Sequence, residues 1–463
     1  MIKNTVLILL TLSVVFSAKA QLTGVGVETK INSTTTNCQQ NPAIAVDSTE
    51  AFIVVWESEN TDSDGWGIYG QRYTSGGTLD GSEFLINTTT DHDQRYPDVA
   101  MDDNGDHVVV WMDEAYDGDG WGVYGQRFDN TNATYGGQFR LSSTSSEHQR
   151  DPKVAMTPDG QHAMVWTQMA IDGSTFGINA RYYLANGAAT SSEIEVVASS
   201  ATFVGFPDIA MDPDGNFTLV WQENDTDGSG AGIYARQFDS DRNPLAAAFQ
   251  VNTYSTGNQY APAIAMDTSG AFVITWTSYG QDGDGDGIYA QLYLADGTAD
   301  GLEFLVPNTT SGTQSYSSVA KTRNGDITFV WEAYQQDGSY AGSYIRSFSS
   351  SATAISVESR INTQTTDFQQ APAVIHYDID DELIAVWQDG QISSTATNDG
   401  DDYGVYSQRY GLFNPLPLDW LAFEAKVNDE KNARLDWQVG DGAEVSYFEV
   451  FRSQNPFPAI DGE

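Results

Sequence analysis

The chain of 463 residues carries 64 acidic against 21 basic side chains, a formal net charge of −43. So acidic a surface argues against nucleic acid and anionic membrane as partners, since both need a basic face, and suits a salty medium or the binding of cations. Cys38 is the single cysteine, which excludes a disulfide framework and leaves stability to packing.

The first twenty residues, MIKNTVLILLTLSVVFSAKA, have an early lysine, a short apolar run and an Ala-Lys-Ala end. They read as a secretory signal peptide (residues 1–20) cleaved before Gln21, because the apolar run is too short to span a bilayer comfortably. Gln21 rather than cysteine at the mature start gives no site for lipid. The expected location is secreted or cell surface, with no membrane insertion.

Repeats organise the rest. Trp56, Trp111, Trp166, Trp221, Trp276, Trp331 and Trp387 each end an apolar run such as AFIVVW or FTLVW, spaced by about 55 residues. Each unit reads as four short strands. The first follows Q-x-x-P, as in QQNPAIAV. A D-x-x-G turn, suited to a tight hairpin, leads to the run that ends in tryptophan. An acidic glycine-rich loop precedes the third strand, GIYGQRY or GVYGQRF, and a turn leads to the fourth, SEFLIN or AFQVN. The middle strands are apolar throughout, which implies burial on both faces. The expectation is an all-β, seven-bladed β-propeller of four-stranded blades over residues 21–411, and a monomer.

The seventh unit, ending at GVYSQRYGLFNP, has no fourth strand of its own, whereas GVETKIN (26–32) at the mature N-terminus matches ESRIN and SEFLIN. The N-terminal strand is therefore expected to complete the last blade and close the ring, removing an exposed edge. A linear solenoid would not need that permutation.

After Tyr410 the composition changes. GLFNPLPLDW marks a linker (412–419), and LAFEAKVNDEKNARLDWQVGDGAEVSYFEVFRS within 420–463 has another pattern. This segment resembles the opening half of a fibronectin type III-like sandwich found near the ends of type IX secretion cargo. It stops short of a complete sandwich, so a truncation of chain or gene is expected. The repeats themselves resemble the tandem Q-x-x-P…G-x-F-V-V-x-W…D-G-D-G-x-G-I-Y-x-Q-R-F units of large secreted and surface bacterial proteins, a resemblance that implies no specific enzymatic activity.

The acidic loops begin with Asp62, Asp117, Asp172, Asp227, Asp282, Asp337 and, after an insertion in the seventh unit, Asp399. Two residues on stand Asp64, Asp119, Ser174, Ser229, Asp284, Ser339 and Asp401. Alternating oxygen ligands followed by glycine suit a hard cation, and Asp282-Gly-Asp284-Gly-Asp286 comes nearest to a calcium loop, although Tyr293 stands where an EF-hand has its last acidic ligand. The other reading is a tight turn in which the aspartate accepts backbone N–H groups and no metal is needed. Both loops and Q-x-x-P segments should share one face, the D-x-x-G turns the other.

Four residues after the first aspartate come Trp66, Trp121, Phe176, Ala231, Asp286, Ala341 and Tyr403. The large rings fall in adjacent units of a closed ring, forming an aromatic arc beside an acidic one. Trp66, Trp121, Phe176 and Tyr403 are thus either a platform for glycan or a surface protein, or rings packed over the neighbouring blade. The seven tryptophans of the second strands read as inter-blade core. The glutamines before each first strand are expected to bond the crossover between blades, and the Gln-Arg pairs such as Gln71-Arg72 to satisfy acidic neighbours.

No H-E-x-x-H, G-x-S-x-G or clustered histidines occur, and the units are near-equivalent. The expected function is a non-catalytic extracellular binding or adhesion module. An extracellular glycan-processing hydrolase, which needs only two carboxylates, is the alternative, and an architectural spacer comes third.

Overall fold

The computed structural model describes residues 22–62, 64–114, 120–190, 192–376, 382–390, 403–412, 420–427 and 433–439. The leader, Asp117, Asp119, Asp399, Asp401 and all but the first residue of the linker lie outside them. The chain divides into two compact units, Leu22–Leu412 and the remainder.

Among the described residues the first unit is entirely β. Its first strands are Gln39–Val46, Gln94–Met101, His148–Met156, Val204–Met211, Gln259–Met266, Gln314–Lys321 and Phe368–His376. The second strands, Phe52–Glu59, His107–Glu114, His162–Met169, Phe217–Asn224, Phe272–Tyr279, Ile327–Tyr334 and Glu382–Gly390, pair antiparallel with them. The third strands follow: Trp66–Tyr73, Trp121–Phe128, Phe176–Tyr183, Ala231–Phe238, Asp286–Tyr293, Ala341–Phe348 and Tyr403–Leu412. Outermost lie Leu79–Leu85, Phe139–Arg140, Ile194–Ser200, Phe249–Gln250, Ala299–Leu305 and Ser359–Arg360. Three of these are only two residues long, shorter than the sequence pattern suggests. In those units the chain after the third strand instead makes single bridges, such as Phe128 with Thr134. Units one to five are separate four-stranded sheets; one parallel pair, Ala341 with Phe368, joins units six and seven.

The second strand is buried because both its faces meet apolar neighbours. All seven of its tryptophans are 0–1% exposed. Seven apolar clusters each span two consecutive units, and the one around Trp56 joins Ile44 and Val54 to Ile384, Val386 and Val405 of unit seven. The D-x-x-G hairpins turn on a left-handed glycine such as Gly105 (φ 89°), with Asp102 Oδ1 accepting the Asn104 and Asp106 N–H groups at 2.8 and 3.0 Å.

In six units a glutamine at the start of the first strand (Val204 replaces it in unit four) is fully enclosed and ties the crossover together. Gln94 Oε1 accepts Asn87 Nδ2 at 2.9 Å while its amide nitrogen donates to the Asp91 carbonyl. Asn87 Oδ1 in turn accepts the Ile68 N–H of the third strand at 2.7 Å. The Gln-Arg pairs meet acids as expected, Arg409 Nη2 lying 2.8 Å from Glu382, and they also bond carbonyls. Gln71 Nε2 donates to the carbonyls of Arg72 and Gly81, and Arg72 Nη1 to that of Gly105 at 3.1 Å. Arg72 meets a carboxylate only at Asp80, at 3.5 Å.

Leu22–Lys30 lies antiparallel to Tyr403–Leu412, from Leu22 opposite Leu412 to Lys30 opposite Tyr406, with a register shift between Val25 and Thr29. Glu28 accepts the Thr363 N–H at 2.8 Å, as Glu83 accepts that of Ser33 at 2.7 Å. In the second unit Trp420–Val427 pairs antiparallel with Ala433–Val439.

Candidate functional site

Every Q-x-x-P segment bulges. The ladder slips between, for example, Arg95 and Asp98, and the third residue of the segment, which reads VGFP in unit four and QSYS in unit six, is left-handed in all seven units: Asn41, Tyr96, Asp151, Phe206, Ala261, Tyr316 and Ala371 have φ of 48–54°. None is glycine, so each carries a cost of roughly 1 kcal/mol or more. Part of that cost is offset by a side chain from the preceding unit, at the position just after the tryptophan. Glu57 Oε2 accepts the Tyr96 N–H at 2.7 Å, Thr277 Oγ1 that of Tyr316 at 3.1 Å, Glu332 Oε1 that of Ala371 at 2.8 Å and Gln388 Oε1 that of Asn41 at 2.9 Å.

In three units the left-handed residue is an aromatic that turns its ring outward. Tyr96, Phe206 and Tyr316 are 49–53% exposed; with Tyr279 and Tyr340 at the acidic loops they are open aromatics of this face that the sequence reading missed. The signal was available as the second x of Q-x-x-P, but nothing local distinguishes a bulge residue from one in a regular strand.

Two buried glutamates lie beneath. Glu57 is matched by a cation: Arg95 Nη2 lies 2.8 Å away, and Gln40 and Asn41 donate to the same Oε1 at 2.8 and 2.9 Å. The guanidinium sits 4.1 Å over the Trp66 ring and 5.5 Å from that of Tyr96. Burial works against the Arg95 charge, but the Glu57 hydrogen bond and charge outweigh it and raise its pKa. Glu332 is different. Its partners are the Ala371 N–H, Gln370 Nε2 at 3.4 Å and the Tyr334 hydroxyl at 3.4 Å, and among the described residues no ion pair involves it. Burial pushes its carboxyl up to about 7 against those hydrogen bonds. Tyr316 and Tyr260 meet edge to face at 6.1 Å beside it, and the Tyr260 hydroxyl bonds Asp286.

The expected arc rings open the third strands and are half-buried. Trp66 is covered by Arg95, Phe176 lies 5.1 Å from Phe203, and the Trp121 N–H donates to His148 Nδ1 at 3.0 Å. Tyr403 lies against Gly390, where any Cβ would overlap its ring. These contacts leave the arc less open than the bulge aromatics.

The acidic loops do share this face: Asp93 of the crossover caps the Trp66 N–H at 3.2 Å, and Asp64 Oδ2 accepts the His92 N–H at 3.4 Å. The first aspartate packs on the third-strand glycine. A Cβ on Gly67 would lie 2.5 Å from Asp62 Oδ2, one on Gly287 2.8 Å from Asp282 Oδ2, and one on Gly342 2.9 Å from Asp337 Oδ2. Burial raises the pKa of Asp62 and of Asp282. In the fifth loop the three carboxylates diverge. Asp282 Oδ1 accepts the Asp284 N–H at 3.2 Å, Asp284 Oδ2 the Gly312 N–H at 3.2 Å, and Asp286 the Tyr260 hydroxyl. Among the described residues no three His, Cys, Asp or Glu side chains converge as a metal-binding group.

Repeated four-stranded antiparallel sheets packed through their second strands define the β-propeller class. Solved structures with similar folds include a polysaccharide lyase and a glycosidase. An ulvan lyase bound to a GlcA(1-4)Rha3S unit shares 11% identity at a TM-score of 0.50, over 81% of this chain and 94% of its own. A protein of unknown function from Dyadobacter fermentans shares 9% at 0.49, over 84% and 99%. The α-L-arabinofuranosidase of Fusarium graminearum shares 12% at 0.46, over 84% and 98%. At such identities likeness speaks for the fold alone, and the latter two scores carry no argument. No family model and no curated protein matches the chain.

Proposed function

We propose that the chain is a secreted, closed seven-bladed propeller that processes glycan on its bulge face. The closed ring is supported by first strands that contact one another in sequence from unit one to unit seven, and by contact of Gln39–Val46 with Phe368–His376. The functional reading rests on one observation: Tyr96, Phe206 and Tyr316 stand open on the same face as two buried glutamates in opposite surroundings, one matched to Arg95 and one with no cation. Open aromatic faces stack on sugar C–H surfaces, and a buried carboxyl beside them can supply proton transfer. That combination favours processing over a purely adhesive module or a spacer.

The test is a panel of neutral and uronate-containing polysaccharides, read both as binding and as new chain ends. Tyr96→Ala with Tyr316→Ala should weaken binding about 10-fold or more, given the worth of a buried aromatic contact. Trp66→Ala with Trp121→Ala should do so only if the half-buried rings also reach the sugar. Unchanged binding in both double variants removes the glycan reading.

Calcium in the acidic loops is a further part of the proposal. Asp62 Oδ1, Asp282 Oδ2 and Asp337 Oδ2 are enclosed without a hydrogen-bond partner, an arrangement a cation would satisfy. The reading of 420–463 as a partial fibronectin type III-like module of type IX cargo stands as a proposal beside it.

A further inference from the structure

Glu332 and Gln388 occupy the same place in units six and seven, one residue after the tryptophan, and make the same bond. Each accepts a left-handed N–H of the next first strand, Ala371 at 2.8 Å and Asn41 at 2.9 Å. A neutral amide therefore serves the bulge as well as a carboxylate does. Thr277 shows that a hydroxyl serves too. The bulge gives no reason for an acid at 332, and burying a carboxyl without a cation is costly. The surroundings of this acid are also particular to it. The Tyr334 hydroxyl donates to Oε2, Gln370 Nε2 bonds both that hydroxyl (3.1 Å) and Oε2 (3.4 Å), and the exposed Tyr316 ring stands alongside. Tyr316 and Tyr334 are the titratable groups that face it, and both feel its charge.

We infer that Glu332 is the proton donor of the glycan-processing site, acting on a glycosidic oxygen held against Tyr316, with Tyr334 and Gln370 as positioning residues for its carboxyl. This rests on the glycan-processing reading and adds to it the reaction class, hydrolysis. In the step, the protonated Glu332 gives its proton to the glycosidic oxygen. The C–O bond breaks with its electron pair on that oxygen, a solvent water adds to the sugar carbon, and the proton that water loses goes to solvent. Glu332 is reprotonated from solvent before the next turnover. A carboxyl that holds its proton up to about neutral pH is matched to donation there.

The experiment compares the full chain with Glu332→Gln on the polysaccharide panel, reading new reducing ends, binding and thermal midpoint. Because Gln388 already does the structural work in unit seven, the variant should keep its midpoint. Its hydrolysis should fall roughly 100-fold or more while binding persists. In the wild type the rate should decline as pH rises through about 7. A variant that hydrolyses at the wild-type rate overturns the role of Glu332 and leaves glycan processing standing. Wild-type binding that depends on Tyr96 and Tyr316 without any new ends overturns the hydrolytic inference and returns the protein to a binding module. Neither binding nor new ends from wild type overturns both readings. A loss of midpoint equal to that of Glu332→Ala would show a carboxylate needed for folding and would overturn the assignment.

Discussion

Asn32 accepts the backbone N–H of Val405 at 2.8 Å, across 373 residues of chain. The same bond runs from Ile68 to Asn87, from Ile233 to Asn252 and from Ser343 to Asn362, each across 19 residues. The N-terminal segment thus does for unit seven what a local fourth strand does elsewhere.

Removing that acceptor should expose the difference between a local and a long-range contact. Asn32→Ala leaves the Val405 N–H buried without a partner and should destabilise by about 1–3 kcal/mol. Asn87→Ala should cost a similar amount by equilibrium denaturation. Deleting residues 22–32 should cost far more than either, since it strips a whole strand from Tyr403–Leu412. A deletion that melts like the full chain would contradict the ring.

The third-strand glycines should be intolerant because of a carboxylate, not because of backbone conformation. Gly67 has ordinary φ, but an added Cβ would meet Asp62 Oδ2 at 2.5 Å. Gly67→Ala should therefore destabilise by about 1–3 kcal/mol, and Asp62→Ala in the same chain should restore part of the loss. A double-mutant cycle by thermal melting checks the coupling, and strictly additive effects would dispose of it.

Two buried histidines should make the protein acid-sensitive. His107 stacks on Phe128 at 5.1 Å and His162 on Tyr183 at 5.1 Å, and burial lowers both pKa values to about 4. The unfolded chain, with histidine near 6.5, binds these protons first, so stability falls as pH drops from about 6.5 to about 4, by roughly 3 kcal/mol per histidine. Units one, four and five have Phe52, Phe217 and Phe272 at this place, stacked in the same way. His107→Phe with His162→Phe should flatten the loss between pH 7 and pH 4.5 in urea melts.

Calcium in the loops should register as stability. A cation that binds only the folded chain raises the melting temperature with its concentration, and EDTA should lower it. Superimposable melts with EDTA and with millimolar calcium would take the metal out of the loops.

The repeat, its four strands and the buried tryptophans were legible because each depends on contacts whose pattern recurs along the chain. An apolar run that ends in Trp221 needs both faces covered wherever it occurs. The glutamine crossovers were legible for the same reason, since Gln94 and Asn87 are seven residues apart. Composition pointed the Gln-Arg pairs at acids, as Arg409 is at Glu382, whereas only geometry puts the Gly105 carbonyl within reach of Arg72.

The candidate site lay deeper. From sequence, the rings of Trp66 and Phe176 were either a platform or packing over the neighbouring blade, and the second x of Q-x-x-P looked like one more strand residue. The sequence by itself determined the unit, its number of copies and the acidity of its surface, because strand pattern and turn chemistry act within a few residues. Only the tertiary structure decided which aromatics face solvent and which glutamate lacks a cation. Both depend on the neighbouring unit: Arg95 reaches back to cover Trp66 and match Glu57, and among the described residues no cation pairs with Glu332.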